Sequence, residues 1–224
     1  MASRSQWMSK TRLFHLDVRL GELPPEVSGL IKPTFAPISL HSISLARAGW
    51  YAFGQPTPEA WWRLTERDDL AEFPMLPDAV LRILQELPDS RSGLGQTQKK
   101  ILALIANGAA RPLDVYSDVS MNFGNSIFGY WQHGEMLEEL ARCEIPAVSG
   151  LPLDVFSYEL HDDAERLRHY QKSSISLTEF GVELLTGKND FAAHNSISRW
   201  WGGTRLTNQT LWRWNESSGV LVSP

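Results

Sequence analysis

The spacing of hydrophobic residues between positions 37 and 89 predicts three helices. The first has an apolar stripe formed by residues three or four positions apart, namely Ile43, Ala46, Trp50 and Phe53. The run Thr57-Pro58-Glu59 is typical of a helix start, because it supplies a hydroxyl cap, a proline where no N–H is needed and an acid at the positive end. A third helix is expected from about Asp78 to Leu87, and Pro88 ends it.

The pattern changes between residues 91 and 190, where three helices are followed by β-like segments. The helices are expected at about 97–107, 112–116 and 128–143. Thr97 is expected to cap the first of them. Ser174–Leu177 alternates like a strand, and Thr178–Gly187 is typical of a capped helix that a glycine ends. This is the element order of a winged helix-turn-helix domain.

The pattern as a whole divides the chain into four regions. They are an N-terminal segment with an edge strand and a loop (1–36), a helical region (37–90), a winged-helix-like domain (91–190) and an aromatic β-tail (191–224). Leu13–Leu20 alternates imperfectly, as an edge strand does. In the tail, short strands joined by turns are expected to form a hairpin or meander packed on the core. The predicted fold class is therefore α+β, mainly α.

Several motifs resemble an uncharacterised bacterial family, domain of unknown function 1835 with its companion domain 3658. They are Asn195-x-Ile197-x-Arg199-Trp200-x-Gly202-Gly203-x-x-Leu206, Leu211-Trp212-Arg213-Trp214, Leu177-Thr178-x-x-Gly181-x-x-Leu184-Leu185-x-Gly187, Gly93-Leu94-Gly95-x-Thr97 and Ala46-x-x-Gly49-Trp50-x-Ala52-Phe53. The likeness covers roughly Pro37 to Val222. Members of that family usually carry an additional N-terminal α/β half, so the resemblance implies that this chain is shortened at its front. The resemblance implies a fold and no particular reaction.

Composition and charge narrow the class of function. The 224 residues are 42% hydrophobic and 21% charged, which is typical of a globular protein and excludes global disorder. A net charge of −5 and a pI near 5.7 argue against a general nucleic-acid coat or a membrane-surface binder. Cys143 is the single cysteine, which excludes an internal disulfide framework. The apolar runs are far shorter than the roughly 20 residues that span a bilayer, and a cytoplasmic protein is expected.

The charge of the winged-helix-like region disfavours binding to duplex DNA. Residues 91–190 contain nine basic and fourteen acidic residues. The helix in the position of a recognition helix contains Glu135, Glu138 and Glu139 against Arg142 alone, and carboxylates near the phosphate backbone oppose binding. The leading prediction is therefore a non-catalytic cytoplasmic binding or adaptor protein that uses this domain to bind a protein partner.

The aromatic tail is the basic zone of the chain and a candidate binding surface. Its candidate residues are Arg199, Trp200, Gly202, Gly203, Arg205, Trp212, Arg213 and Trp214. The tryptophans can stack on bases beside the arginines, which makes a nucleic-acid binder resembling a transcription regulator the second hypothesis. The alternative is a structural role, in which Trp212 and Trp214 share one face of a strand and pack on helices, and the two glycines form a turn.

A metal-dependent enzyme is the third hypothesis. If residues 161–169 are helical, then His161, Glu165 and His169 lie at four-residue steps on one face, where imidazole and carboxylate can bind a divalent cation. A solvated charged face is the alternative, since Arg166 and Arg168 lie beside them. No catalytic residue and no cofactor is predicted, and the sequence leaves the oligomeric state open.

Overall fold

The computed structural model describes residues 10–14, 26, 32, 34–115 and 126–224. Helices account for 45% and strands for 12% of the described residues, and the strands form small antiparallel hairpins. The predicted class, α+β and mainly α, is confirmed.

The described residues form nine labelled helices and four hairpins. The helices are α1 (Leu40–Phe53), α2 (Glu59–Trp62), α3 (Leu76–Leu84), α4 (Gln96–Ala106), α5 (Tyr130–Arg142), α6 (Tyr158–His161), α7 (Ala164–Lys172), α8 (Glu179–Leu185) and α9 (Phe191–His194). A 3-10 turn (Arg63–Glu66) follows α2, and residues 112–115 are also helical. The hairpins pair β1 (Arg12–Leu13) with β2 (Ala36–Pro37), β3 (Val148–Ser149) with β4 (Ser176–Leu177), β5 (Ser198–Trp201) with β6 (Thr204–Thr207), and β7 (Arg213–Asn215) with β8 (Val220–Val222).

The N-terminal helices form near the expected positions, with different ends. Ser39 begins α1, where its hydroxyl accepts a hydrogen bond from the Ser42 amide. Thr57 does not cap α2 as predicted, because Pro58 occupies the cap position. Helix α3 ends at Leu84, three residues before the expected end, yet Leu87 is still fully buried in the turn that follows. Of the expected strand Leu13–Leu20, residues 15–20 lie outside the described residues.

Of the predicted apolar stripe of α1, Phe53 packs against the core, but the fully buried positions of the helix lie beside the stripe. The buried residues are Ser42, Leu45, Gly49 and Ala52, about one position away from the stripe. Within the stripe, Trp50 is 81% exposed. The side of α1 that is buried therefore consists mainly of small residues.

The region from α4 to α8 has helices and strands in the predicted order, with an insertion. The amide of Ile175, just before β4, donates to the carbonyl of Ala110, which adds a third segment beside the β3–β4 hairpin. Helices α6 and α7 lie between β3 and β4 and form this insertion. The capped helix predicted at Thr178–Gly187 is confirmed, because Thr178 accepts from the Gly181 amide and Gly187 has a positive φ of 65°.

The C-terminal hairpins pack against the loop that joins α3 to α4. The indole N–H of Trp201 donates to the carbonyl of Ile83 at 2.9 Å, and the amide of Trp214 donates to the carbonyl of Pro88. Both indoles belong to the same buried cluster as Leu84 and Ile101. The tail is thereby part of the main hydrophobic core.

A buried carboxylate of α5 accepts hydrogen bonds from the segment that contains the inserted helices α6 and α7. Glu138 accepts hydrogen bonds from the hydroxyl of Tyr170 at 2.6 Å and from the amide of Phe156 at 3.1 Å. Arg142, one turn further along α5, forms an ion pair with the same side chain. The predicted acidic face of α5 therefore loses Glu138, because this residue turns inward and is satisfied within the fold.

Replacing this carboxylate should destabilise the whole protein. Glu138→Ala removes the hydrogen bonds that the buried Tyr170 hydroxyl and the Phe156 amide donate to this carboxylate, so the free energy of unfolding should fall by about 3 kcal/mol. Urea denaturation followed by circular dichroism measures the change. The matched control is Glu135→Ala on the exposed side of α5, which should stay within about 0.5 kcal/mol of the wild type. An equal loss in both variants would contradict the inward role of Glu138.

Candidate functional site

A cleft of about 240 Å³ lies between α5 and the β5–β6 hairpin. It is lined by Glu86, Phe128, Gln132, Glu135, Met136, Glu139, Arg199, Trp200 and Trp201. We call it the α5–β5 cleft. The cleft matters because it joins two features that lie about sixty residues apart in the sequence, namely the acidic third helix of the central region and the arginine and tryptophan residues of the tail.

Helix α5 presents one continuous face to the cleft. Residues 132, 135, 136 and 139 are three or four positions apart and all line it, as one side of a helix does. Glu135 is exposed, while Glu139 accepts a hydrogen bond from the Gln98 amide group at 2.9 Å. Two of the three predicted glutamates thus line the cleft.

The floor of the cleft contains a third carboxylate, Glu86, in the turn after α3. It accepts from the hydroxyl of Thr97 at 2.6 Å and from the Thr97 amide at 3.1 Å. Thr97 is therefore not the cap of α4 as predicted; Gly95 occupies that position and its amide donates to Gln98. Burial raises the pKa of Glu86, and the Thr97 hydrogen bonds and the nearby Arg199 charge oppose this rise.

The strand side of the cleft supplies an exposed aromatic ring. Trp200 is 67% exposed, whereas its neighbour Trp201 is buried, because successive residues of β5 point to opposite faces. Arg205 lies directly across the hairpin, and its guanidinium carbon is 5.8 Å from the centre of the Trp200 ring. Arg199 lies beside Glu86, where its guanidinium donates a long hydrogen bond of 3.4 Å to the Glu86 carbonyl.

The remaining tail residues do not share this surface. Arg213 donates to the carboxylate of Asp190 at 2.7 Å and to the carbonyl of Asp89 at 3.1 Å. Trp214 is buried at 4% exposure, and Trp212 is partly buried against the core. The three tail arginines are therefore scattered, since each is held by a different part of the fold.

Gly202 and Gly203 have a steric role in the β5–β6 turn. Gly202 has a φ of +55°, and a Cβ atom there would lie 2.3 Å from the carbonyl oxygen of Phe53. A Cβ atom at Gly203 would lie 2.2 Å from the carbonyl oxygen of Gly54. Both glycines let the turn pack directly on the end of α1.

The condition for the metal hypothesis, a single helix over residues 161–169, is not met. Helix α6 ends at His161, and α7 begins at Ala164 with Asp163 as its cap, so Glu165 and His169 belong to a different helix. Among the residues that the structure describes, no group of three His, Cys, Asp or Glu side chains could hold a metal ion.

His161 instead belongs to an aromatic cluster at the start of α5. Its Nε2 atom is 2.8 Å from the Tyr130 hydroxyl, and its Nδ1 atom is 2.6 Å from the Ser157 carbonyl. The imidazole also packs against the Trp131 ring, with the two ring centres 4.5 Å apart. These contacts fix the ring by packing and hydrogen bonds rather than by a ligand.

A larger cavity of about 420 Å³ lies between α4, the end of α8 and the β7–β8 turn. Its Lys99 ammonium is 2.6 Å from Glu216 and 3.9 Å from Asp89. The Asp89 carboxylate also accepts from the amides of Arg91 and Ser92. These charges satisfy one another inside the chain, so we take the α5–β5 cleft as the candidate site.

Sequence patterns indicate only part of this cleft. The acidic residues of α5 and the tail residues Arg199, Trp200 and Arg205 were candidates, but Glu86 and Gln132 were not. Glu86 follows an amphipathic helix and has no local motif, because its partner Thr97 is eleven residues away. The signal that could have identified Glu86 is its position between Leu84 and Leu87, because the hydrophobic spacing predicts that both leucines face inward.

No protein-family model, curated protein or solved structure matches this chain. Within the part of the chain that the structure describes, no helix is long and apolar enough to cross a membrane. The resemblance to domain of unknown function 1835 stays a prediction.

The pKa of Glu86 makes the stability of the protein depend on pH. Because its pKa is raised in the folded state, folding takes up a proton between the ordinary and the raised value, and stability falls as pH rises through this window. Glu86→Gln removes this titration and keeps an acceptor for Thr97. In urea denaturation at pH 7, the free energy of unfolding of the variant should be larger than that of the wild type. At pH 4 the difference between the two free energies should be smaller. The exposed Glu165→Gln is the control and should follow the wild type at both pH values; an unchanged pH profile in Glu86→Gln would contradict the assignment.

Proposed function

We propose that this protein is a non-catalytic, cytoplasmic binding or adaptor protein that binds a basic segment of a protein partner in the α5–β5 cleft. The single observation that carries the proposal is that the exposed Trp200 lines the same cleft as Glu135 and Glu139. A cation bound there meets negative charge on one side and an aromatic face on the other.

The balance of charges in the cleft supports a cationic ligand. Three acidic residues, Glu86, Glu135 and Glu139, line the cleft with one basic residue, Arg199, and the guanidinium of Arg205 lies beside the Trp200 ring. An attraction between unit charges at 4 Å is worth about 1 kcal/mol in water and about 4 kcal/mol near a protein surface. The apolar side chains of Phe128 and Met136 provide a surface for the methylene stem of a lysine or arginine.

The order of elements supports the winged-helix-like interpretation of the central region. Helix α4, the segment at Ala110, the helical residues 112–115, α5 and the β3–β4 hairpin follow one another, and Ala110 bonds next to β4. In this arrangement α5 occupies the position of the recognition helix. Its cleft face is acidic, which favours a basic partner over the phosphate backbone of a duplex.

A nucleic-acid binder remains the competing hypothesis, and it depends on the Arg205–Trp200 pair. Stacking of a base on Trp200 beside Arg205 would suit a single strand. The other two tail arginines are less available to a nucleic acid, because Arg213 is paired with Asp190 and Arg199 adjoins Glu86. The experiment below therefore includes a single-stranded oligonucleotide.

Reversing the charge of the cleft should weaken binding of a basic peptide. A fluorescent nonalysine peptide, titrated by anisotropy, should bind the wild type and lose about tenfold in affinity in Glu135→Lys/Glu139→Lys, because two attractive charges become repulsive. The control is Glu159→Lys/Glu165→Lys on exposed positions of α6 and α7, which changes the net charge equally. Equal losses in both double variants would mean that only net charge matters and would overturn the proposal. Stronger binding of a nonathymidine oligonucleotide than of the peptide would favour the competing hypothesis.

The aromatic side of the cleft makes a separate prediction. Trp200→Ala should weaken binding of the same peptide roughly threefold, the value expected for loss of an exposed cation–π contact of about 0.6 kcal/mol. Tyr158→Ala, which removes a similarly exposed ring outside the cleft, should leave the affinity unchanged. Identical peptide affinities of Trp200→Ala and the wild type would show that the Trp200 ring does not take part in binding.

A further inference from the structure

The cavity of about 420 Å³ between α4, the end of α8 and the β7–β8 turn is lined by side chains of both charges. The basic residues are Arg91 and Lys99, and the acidic residues are Asp89 and Glu216. Small-molecule sites in proteins have volumes of about 300 to 1,000 Å³, so this cavity is large enough for a small ligand. It shares no lining residue with the α5–β5 cleft and is therefore a separate candidate site.

The ion pairs of this cavity balance its charges but leave hydrogen-bonding capacity unused. The Lys99 ammonium has three N–H donors, and within the part of the chain that the structure describes it makes one hydrogen bond, to Glu216 at 2.6 Å. Asp89 is 8% exposed, and its Oδ1 atom accepts from the amides of Arg91 and Ser92. Its Oδ2 atom is 3.9 Å from the Lys99 nitrogen, which is too long for a hydrogen bond. One oxygen of a largely buried carboxylate is therefore open to a further donor.

The Asp89 carboxylate carries its negative charge at neutral pH. Burial raises its pKa, but the hydrogen bonds from the Ser92 and Arg91 amides and the nearby Lys99 charge outweigh this effect, so the pKa lies below its usual value. A charged acceptor forms its strongest hydrogen bonds with a charged donor. The open oxygen of Asp89 is therefore suited to an ammonium group.

Arg91 adds a guanidinium at the edge of the cavity. A Cβ atom at Gly187 would lie 3.1 to 3.3 Å from three guanidinium atoms of Arg91, so this group lies directly against the glycine, which also lines the cavity. In the described ranges of the chain, no carboxylate forms an ion pair with Arg91. The fork of N–H donors of a guanidinium matches the two oxygens of a carboxylate. Arg91 is therefore suited to a carboxylate ligand.

We propose that this cavity binds a free α-amino acid with an aliphatic side chain. The ammonium group of the ligand donates to Asp89, and its carboxylate accepts from Arg91 and from the remaining N–H donors of Lys99. Two acidic and two basic lining residues favour a ligand that carries both charges and no net charge. Leu184 and Leu185, which also line the cavity, offer apolar surface to the aliphatic side chain.

Equilibrium dialysis of the full chain against radiolabelled L-leucine tests this site. We expect a dissociation constant on the order of 10 to 100 µM, as suits a ligand of this size. Two compounds that each lack one charge are the ligand controls. They are 4-methylpentanoate, which has no ammonium group, and 3-methylbutylamine, which has no carboxylate. Each should compete at least about tenfold more weakly than unlabelled L-leucine, because it leaves one side of the site without its partner.

Two variants test the assigned residues. Arg91→Gln removes the guanidinium and should weaken L-leucine binding at least about tenfold. Asp89→Asn should do the same, because its oxygen can still accept from the Arg91 and Ser92 amides while the negative charge is lost. Arg168→Gln, at an exposed position of α7, is the matched control and should bind like the wild type. Circular dichroism melting checks that each variant folds.

Three outcomes would overturn the proposal. One is no binding of L-leucine to the wild type up to about 1 mM. Another is competition by either single-charge compound as strong as that by L-leucine, because the site would then recognise one charge only. The third is unchanged affinity in folded Arg91→Gln, because the amino acid would then bind elsewhere on the chain.

Discussion

The N-terminus of α4 is held by carboxylates from two other parts of the chain, and the candidate cleft depends on that attachment. The first amides of a helix lack intrahelical partners and attract negative charge. Gly95 has no side chain to offer them, so the Glu86 carboxylate, from the turn after α3, accepts from the amide and the hydroxyl of Thr97. Glu139 of α5 accepts from the side-chain amide group of Gln98. Three helices are joined at one point by these bonds. The same two residues, Glu86 and Glu139, also line the cleft.

The glutamates of helix α5 point in different directions, one into the protein and one toward solvent. Glu138 points into the protein, where Tyr170, Phe156 and Arg142 satisfy it. Glu135, three residues earlier, points to the exposed side. A helix permits this because residues three apart can still lie on either side of the boundary between core and solvent. Charge on α5 can therefore serve binding without weakening the fold.

The two most exposed described tryptophans lie in different chemical surroundings. Trp200 lines the same cleft as Glu135 and Glu139, and an aromatic ring combined with carboxylates suits a cation. Trp50 lines a groove between α1 and α3 whose other lining residues are apolar. The cleft and the groove share no lining residue.

Periodicity along the sequence determined most of the helices and the mixed, mainly helical class, because hydrophobic spacing and capping residues act within a few positions. It also identified the acidic α5 and the aromatic tail as candidates. Only the tertiary structure decided which face of α1 is buried, that residues 161–169 divide between α6 and α7, and that Arg213 is paired with Asp190. It also brought Glu86, Glu139 and Trp200 to one cleft. These features depend on contacts between distant parts of the chain, and local sequence contains no information about which distant partner a side chain will meet.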